Sequence, residues 1–187
     1  RVGDNKKTNW LVLEKPLAEK SKKTLLFLPT RVGMSAFLEW MREQKISYGI
    51  VRFYEKLPEL YRTGGDFDIL IFDEDRSRVY EFFEQHQYLL SGEDEGIRFD
   101  VHSVSGGHGI IPYYPPRLAR QILTNAVDGP AGSRIPAPED ALNSFIYHAL
   151  YHKGFDSGIP SGLRTKTEKY PENDYGKVIL EMAKQRG

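Results

Sequence analysis

The 187-residue chain contains no cysteine, which excludes disulfide frameworks, thiolate metal sites and cysteine nucleophiles together. It also lacks net charge, because 26 Lys and Arg are matched by 26 Asp and Glu. A balanced chain has no global basic field for sequence-independent binding, so a nucleic-acid partner is disfavoured. No apolar run approaches a membrane span, and the candidates are short, such as TLLFLP over 24–29. The opening RVGDNKKTNW has no signal-peptide apolar core. These absences set the expectation of a cytoplasmic protein, and the missing initiator Met that of a fragment of a longer, multidomain chain. The Gly-rich segments SGGHG and SGIPSG match neither a P-loop nor a dinucleotide fingerprint. No GxSxG elbow supports a Ser-His-Asp hydrolase.

What is present is enough for one sizeable core, with 40% hydrophobic residues. TLLFLP reads as a buried strand ended by Pro29. Over MSAFLEWMREQKI, Met34, Phe37, Leu38, Met41 and Ile46 fall on one helical stripe, with Thr30 or Ser35 as its cap. SYGIVRFYE (47–55) reads as a strand rich in β-branched and aromatic residues. KLPELYRTGG reads as a loop or short helix, and DFDILIF as a second strand. In DEDRSRVYEFFEQHQ, Asp73, Glu74 and Asp75 suit a helix N-terminus, and Val79, Phe82 and Phe83 supply an apolar face. GIRFDVHSV (96–104) reads as a third strand, and NWLVLEK near the start as a short one. From Arg117 onward the pattern is helical, in PRLARQILTNA, PEDALNSFIYHALYHKG and DYGKVILEMAKQ. The expected fold is therefore α/β (α+β): a small mixed β-sheet flanked by helices over 1–112, with a helical C-terminal part over 113–187.

Asp66 and Asp68 stand one residue apart at the start of the strand DFDILIF and so share a face. Like charges so placed repel unless a cation or proton lies between them. On IRFDVHS, Arg98, Asp100 and His102 alternate with Ile97, Phe99 and Val101, which puts the polar three on one face. If the two strands are neighbours, Asp66, Asp68 and Asp100 converge. A cluster of carboxylate oxygens suits Mg²⁺, which commonly bridges to substrate phosphates. The blander reading is a solvated strand end beside a Gly-Gly turn and an exposed sheet face.

GGDFDILI, a helix, and then IRFDVHS resembles the DNA polymerase β-like nucleotidyltransferase superfamily over about Gly33 to Ser103. The pattern is a Gly-containing turn, an acid-x-acid pair on one strand and a third acid on a later strand. The resemblance implies that Asp66 and Asp68 are the paired metal ligands. It makes Asp100 the third carboxylate, which helps to activate an acceptor hydroxyl. The family's Gly-Gly or Gly-Ser at the end of the preceding strand is replaced here by IVRFYEKLPE, and Gly64-Gly65 abuts Asp66 directly. Phosphate contact then falls to the guanidinium fork of Arg52, with Gly65, His102 and Lys153 as further substrate-binding residues. VRFYEKLPELY…GGDFDILI is also similar to uncharacterised nucleotidyltransferase-like domains, some of them parts of larger proteins that modify surface polysaccharides.

The implied activity is a Mg-dependent nucleotidyltransferase that moves a nucleoside monophosphate from a nucleoside triphosphate to the hydroxyl of a sugar, small molecule or protein. The alternative is a non-catalytic binding or interaction module with the same fold inside a larger protein. A metal-dependent phosphohydrolase using the same acids is a third option. His148 and His152 share a helix face at i,i+4 spacing. Without HExxH or cysteine, a core-lining or substrate-contacting role is favoured over zinc. Lys153 suits either a phosphate or the helix dipole, and the basic loop GLRTKTEK either closes on an anion or is simply solvated.

Overall fold

The computed structural model describes residues 26–52, 54–57, 67–87, 96–106, 112–157, 159 and 174–185. Their elements run β1 (Leu26–Leu28), α1 (Gly33–Glu43), β2 (Tyr48–Ile50), β3 (Phe67–Ile71), α2 (Arg76–Gln87), β4 (Ile97–Ser103), α3 (Pro116–Asn125), β5 (Val127–Asp128), β6 (Arg134–Ile135), α4 (Pro138–Tyr147) and α5 (Tyr175–Lys184). The first four strands form one sheet in the order β1-β4-β3-β2, and β5 and β6 form a small hairpin. β4 runs parallel to β3, whereas β1 and β2 are antiparallel to their neighbours. The protein is thus of mixed α/β class, with a small mixed sheet flanked by helices.

Alternation along β3 and β4 divides the sheet into two unlike faces. Phe67, Ile69, Ile71, Ile97 and Phe99 point to one side, where α1 delivers Met34, Phe37, Leu38 and Met41 and α2 delivers Val79, Phe82 and Phe83. Phe37 sits at the centre of this core, with ring centroids 5.0–5.4 Å from Phe82, Phe83 and Phe99. Offset and edge-to-face contacts of this kind add to the gain from burying area. The helical stripes seen in the sequence are therefore the inner faces of α1 and α2.

On the opposite face, Leu70 and Val51 pack against Ala119, Ile122 and Leu123 of α3, with Val104 and Tyr114 beside them. α3 is tied to α4 by Asp140, a buried carboxylate that accepts hydrogen bonds from Gln121 Nε2 at 2.6 Å and Asn125 Nδ2 at 3.0 Å. This second layer covers only part of the sheet. The polar side chains of β3 and β4 lie on the same face as Leu70, toward the start of β3.

Three details differ from the sequence reading. The strand expected over 47–55 spans only Tyr48–Ile50, with one further bond from the Val51 amide to the Asp68 carbonyl, and Tyr54–Lys56 turn into a 3-10 helix before Pro58. α1 begins after Val32 with no side-chain cap, so neither Thr30 nor Ser35 performs that role. The β5–β6 hairpin was not anticipated, since two-residue strands leave no periodic signal. Gly129 is required there, because a Cβ would stand 2.5 Å from a methyl of Ile135. The strand expected in NWLVLEK and most of the loop after Gly158 lie outside the described residues.

Candidate functional site

In the parallel β3–β4 register, Asp68 stands directly opposite Asp100, and Leu70 opposite His102. Partners in such a ladder are about 4.8 Å apart and project to the same face. The structure thus brings Asp68, Asp100 and His102 together. Asp66 and Gly65 lie outside the described residues.

Asp68 is almost wholly enclosed, with 2% of its side chain exposed. A buried carboxylate is costly unless it is paired and hydrogen-bonded. Both requirements are met through Oδ1, which accepts from Nη2 of Arg52 and from Nε2 of His102 at 3.1 Å. Burial pushes the Asp68 carboxyl upward, but the His102 hydrogen bond and the Arg52 charge outweigh it and hold the group below the usual carboxylate range. For Arg52, burial lowers the pKa and Asp68 more than restores it. Asp68 is ionised and Arg52 charged at neutral pH.

The second prong of the Arg52 guanidinium reaches His148. Nη1 lies 3.1 Å from Nε2 and 3.2 Å from Nδ1 of that ring. His148 is 3% exposed and its pKa is pushed down to about 3, first by burial and then by the Arg52 and Lys153 charges. A neutral imidazole still has one lone pair, and a guanidinium, which only donates, is a suitable partner for it. Tyr113 closes the cluster. Its hydroxyl hydrogen-bonds His148 Nδ1, and its ring stacks on His102 at 4.1 Å and on His152 at 4.0 Å. The Arg52 guanidinium carbon lies 5.3 Å from the Tyr113 ring centroid. Burial raises the Tyr113 phenol well above its usual value, so it remains a neutral hydroxyl.

The backbone that presents His148 and His152 is itself unusual. α4 loosens into a π-helical turn over His148–Lys153, a distortion that concentrates at functional sites. His148 faces the buried cluster, whereas His152 is exposed and bonds the Tyr113 carbonyl at 2.7 Å through Nε2. Lys153 ends the turn close enough to depress His148.

The sequence reading missed Tyr113 and Tyr114 and gave Asp73 a helix-start role alone. Tyr113 and Tyr114 come from YYPP, where the aromatic pair before two prolines was the only available signal. Asp73 proved to be more than a helix-start acid. It accepts from the amide and hydroxyl of Ser105 at 2.9 Å, linking the ends of β3 and β4.

Two face-sharing carboxylates from adjacent strands offer the hard oxygen donors that Mg²⁺ prefers, so the donor chemistry suits that ion. Among the described residues no group of three or more His, Cys, Asp or Glu is placed to hold a metal; Asp66 is not among those residues. No helix among them is long and apolar enough to cross a membrane. No protein-family model, curated protein or solved structure matches the chain.

Proposed function

We propose that the chain is a Mg-dependent nucleotidyltransferase domain that acts on a nucleoside triphosphate and a small or sugar-like acceptor hydroxyl. The observation that carries this reading is the direct opposition of Asp68 and Asp100 on one face of β3 and β4. A cationic side chain, Arg52, already lies against Asp68 of that pair.

Asp66, Asp68 and Asp100 would hold the ion, which supplies charge neutralisation at the triphosphate. Arg52 turns its fork from Asp68 to the phosphate oxygens, a bidentate geometry that a guanidinium provides and an ammonium does not. His148 stays neutral and leaves Arg52 its full charge, while Tyr113 stacks beside the guanidinium and keeps water from it. Asp100 takes the proton of the acceptor hydroxyl as its oxygen bonds the α-phosphorus. The bond from that phosphorus to the bridging oxygen breaks, and pyrophosphate leaves. Positioned charge supplies most of the acceleration in such reactions.

The test is Mg²⁺-dependent pyrophosphate release across the four nucleoside triphosphates with a panel of sugar acceptors, in parent, Asp68→Asn and Asp100→Asn. Release that falls to background in both variants, with far-UV circular dichroism retained, is the expected result. Release unchanged in both removes the assignment.

One observation favours a second reading, a binding module without catalysis. Arg52 sits on the oxygen of Asp68 as a built-in cation. In that case the ion pair is structural, and triphosphate with Mg²⁺ leaves stability unchanged.

A further inference from the structure

At the far end of β2 from Arg52 lies a cavity of about 540 Å³ whose lining includes none of the acidic cluster. It is bounded by the C-terminal end of α1, the edge strand β2 and the β5–β6 hairpin. Leu38, Ile46, Tyr48, Leu123 and Ala126 form its apolar wall, and Arg42, Lys45 and Arg134 bring cations to it. Its volume falls in the range of small-molecule sites, which combine apolar lining with a few placed polar groups.

The backbone of Lys45 is the first sign that this end of α1 is built for something. The Ile46 amide bonds the Met41 carbonyl at 2.9 Å, and the Lys45 amide bonds the Arg42 carbonyl at 3.0 Å. That pattern is a Schellman termination, and the residue in the left-handed position is usually Gly. Here it is Lys45, with φ of 55°, a conformation costly for an L side chain.

Complementing the helix dipole is the ordinary reason for a cation here; it serves Arg42 in the last turn and Lys45 just beyond it, but not Arg134. Four carbonyls at this end already have donors: Trp40 from the Gln44 amide, Met41 and Arg42 as above, and Gln44 from Nη2 of Arg78 at 2.8 Å. Arg134 arrives from a different element and is aimed by its bonds to the Ala126 carbonyl and to Asp128 Oδ1 at 2.8 Å. Among the described residues Arg42 pairs with Glu39, at 3.4 Å with both side chains largely exposed, a contact of little worth. Lys45 makes no ion pair among the described residues. Among the lining residues, three cations against the single carboxylate of Asp128 leave two positive charges, with Glu39 offsetting Arg42 only through an exposed contact outside the cavity lining. A phosphate monoester, close to two negative charges at neutral pH, balances them.

We propose that this cavity binds a phosphate monoester with an apolar or aromatic body, its dianion between Arg42, Lys45 and Arg134 and its body on Leu38, Ile46 and Tyr48. The site is independent of the nucleotidyl-transfer reading. Phenyl phosphate is a suitable probe, followed by calorimetry and by amide chemical-shift changes in the full chain. The expected result is saturable one-to-one binding, perturbing the 42–48 and 126–134 amides and unaffected by Asp68→Asn. Lys45→Gly and Arg42→Gln should each weaken binding about tenfold. Because Gly relieves the left-handed backbone, Lys45→Gly should also unfold at equal or higher urea concentration than the parent, so loss of binding cannot be ascribed to misfolding. Absence of saturable binding at millimolar phenyl phosphate overturns the proposal, as does equal affinity in the parent and both variants. Inorganic phosphate binding as tightly as phenyl phosphate overturns the role given to the apolar wall.

Discussion

Replacing Arg52 by Met, in metal-free buffer, is the most informative single perturbation of the buried cluster. The substitution keeps most of the side chain's length and apolar bulk and removes only the charge and its donors. Arg52 and Asp68 are 15% and 2% exposed, so solvent screens the pair little. Deleting one partner of a buried ion pair costs about 3–5 kcal/mol, because the remaining charge stays desolvated. Asp68 keeps its hydrogen bond from His102, which places the expected loss near the lower end, at about 3 kcal/mol. The pH dependence follows from the same pair. Asp68 is depressed in the folded protein, so its contribution is present above the unfolded carboxyl value of about 3.9 and is lost as pH falls through the folded value. The gap between parent and Arg52→Met should therefore be widest at pH 7 and narrow as the buffer is taken below about pH 4. Urea unfolding followed by far-UV circular dichroism at several pH values measures it. A gap that is constant with pH would refute the electrostatic reasoning and leave Arg52 acting through its packing on Tyr113.

Other consequences are as direct. Phe37→Ala, which empties the centre of the aromatic core, should cost about 4 kcal/mol in urea unfolding. Asp140→Ala removes the acceptor shared by Gln121 and Asn125 and should cost about 1.5 kcal/mol. Hydrogen exchange should quicken in α3 and α4 but not in α1 for that variant. His148 is depressed from 6.5 to about 3, so the unfolded chain binds the proton first. Stability should fall by about 1.4 kcal/mol per pH unit below about 6, a slope that His148→Gln should flatten.

Sequence legibility followed periodicity. Met34, Phe37, Leu38 and Met41 were readable as one face because a helix repeats its side chains every three or four residues. Ile97 and Phe99 were readable against Arg98, Asp100 and His102 because a strand repeats every second residue. The same alternation, applied to Asp68 and Asp100, was enough to place both on one face once the strands were neighbours. It could not supply the register that sets them opposite each other, which depends on contacts between strands distant in sequence. Nor could it foresee that Arg52 would turn inward to Asp68, since the bend between a short edge strand and a 3-10 turn does not specify where its side chain points. Tyr113 joined the site through an irregular connection, where no period exists to be read. Nothing in the sequence marks Lys45, and its left-handed backbone is visible only when the end of α1 is seen.

Binding of a magnesium triphosphate on the face that carries Asp68 and Asp100, as proposed, is read out by thermal unfolding with each of the four nucleoside triphosphates. At a concentration of about 100 times Kd, a ligand that binds only the folded state stabilises it by about 2.7 kcal/mol. At least one triphosphate should therefore raise Tm by several degrees with Mg²⁺, and not without it, and Asp100→Asn should abolish the rise. No shift with any of the four, or an equal shift in Asp100→Asn, would contradict it.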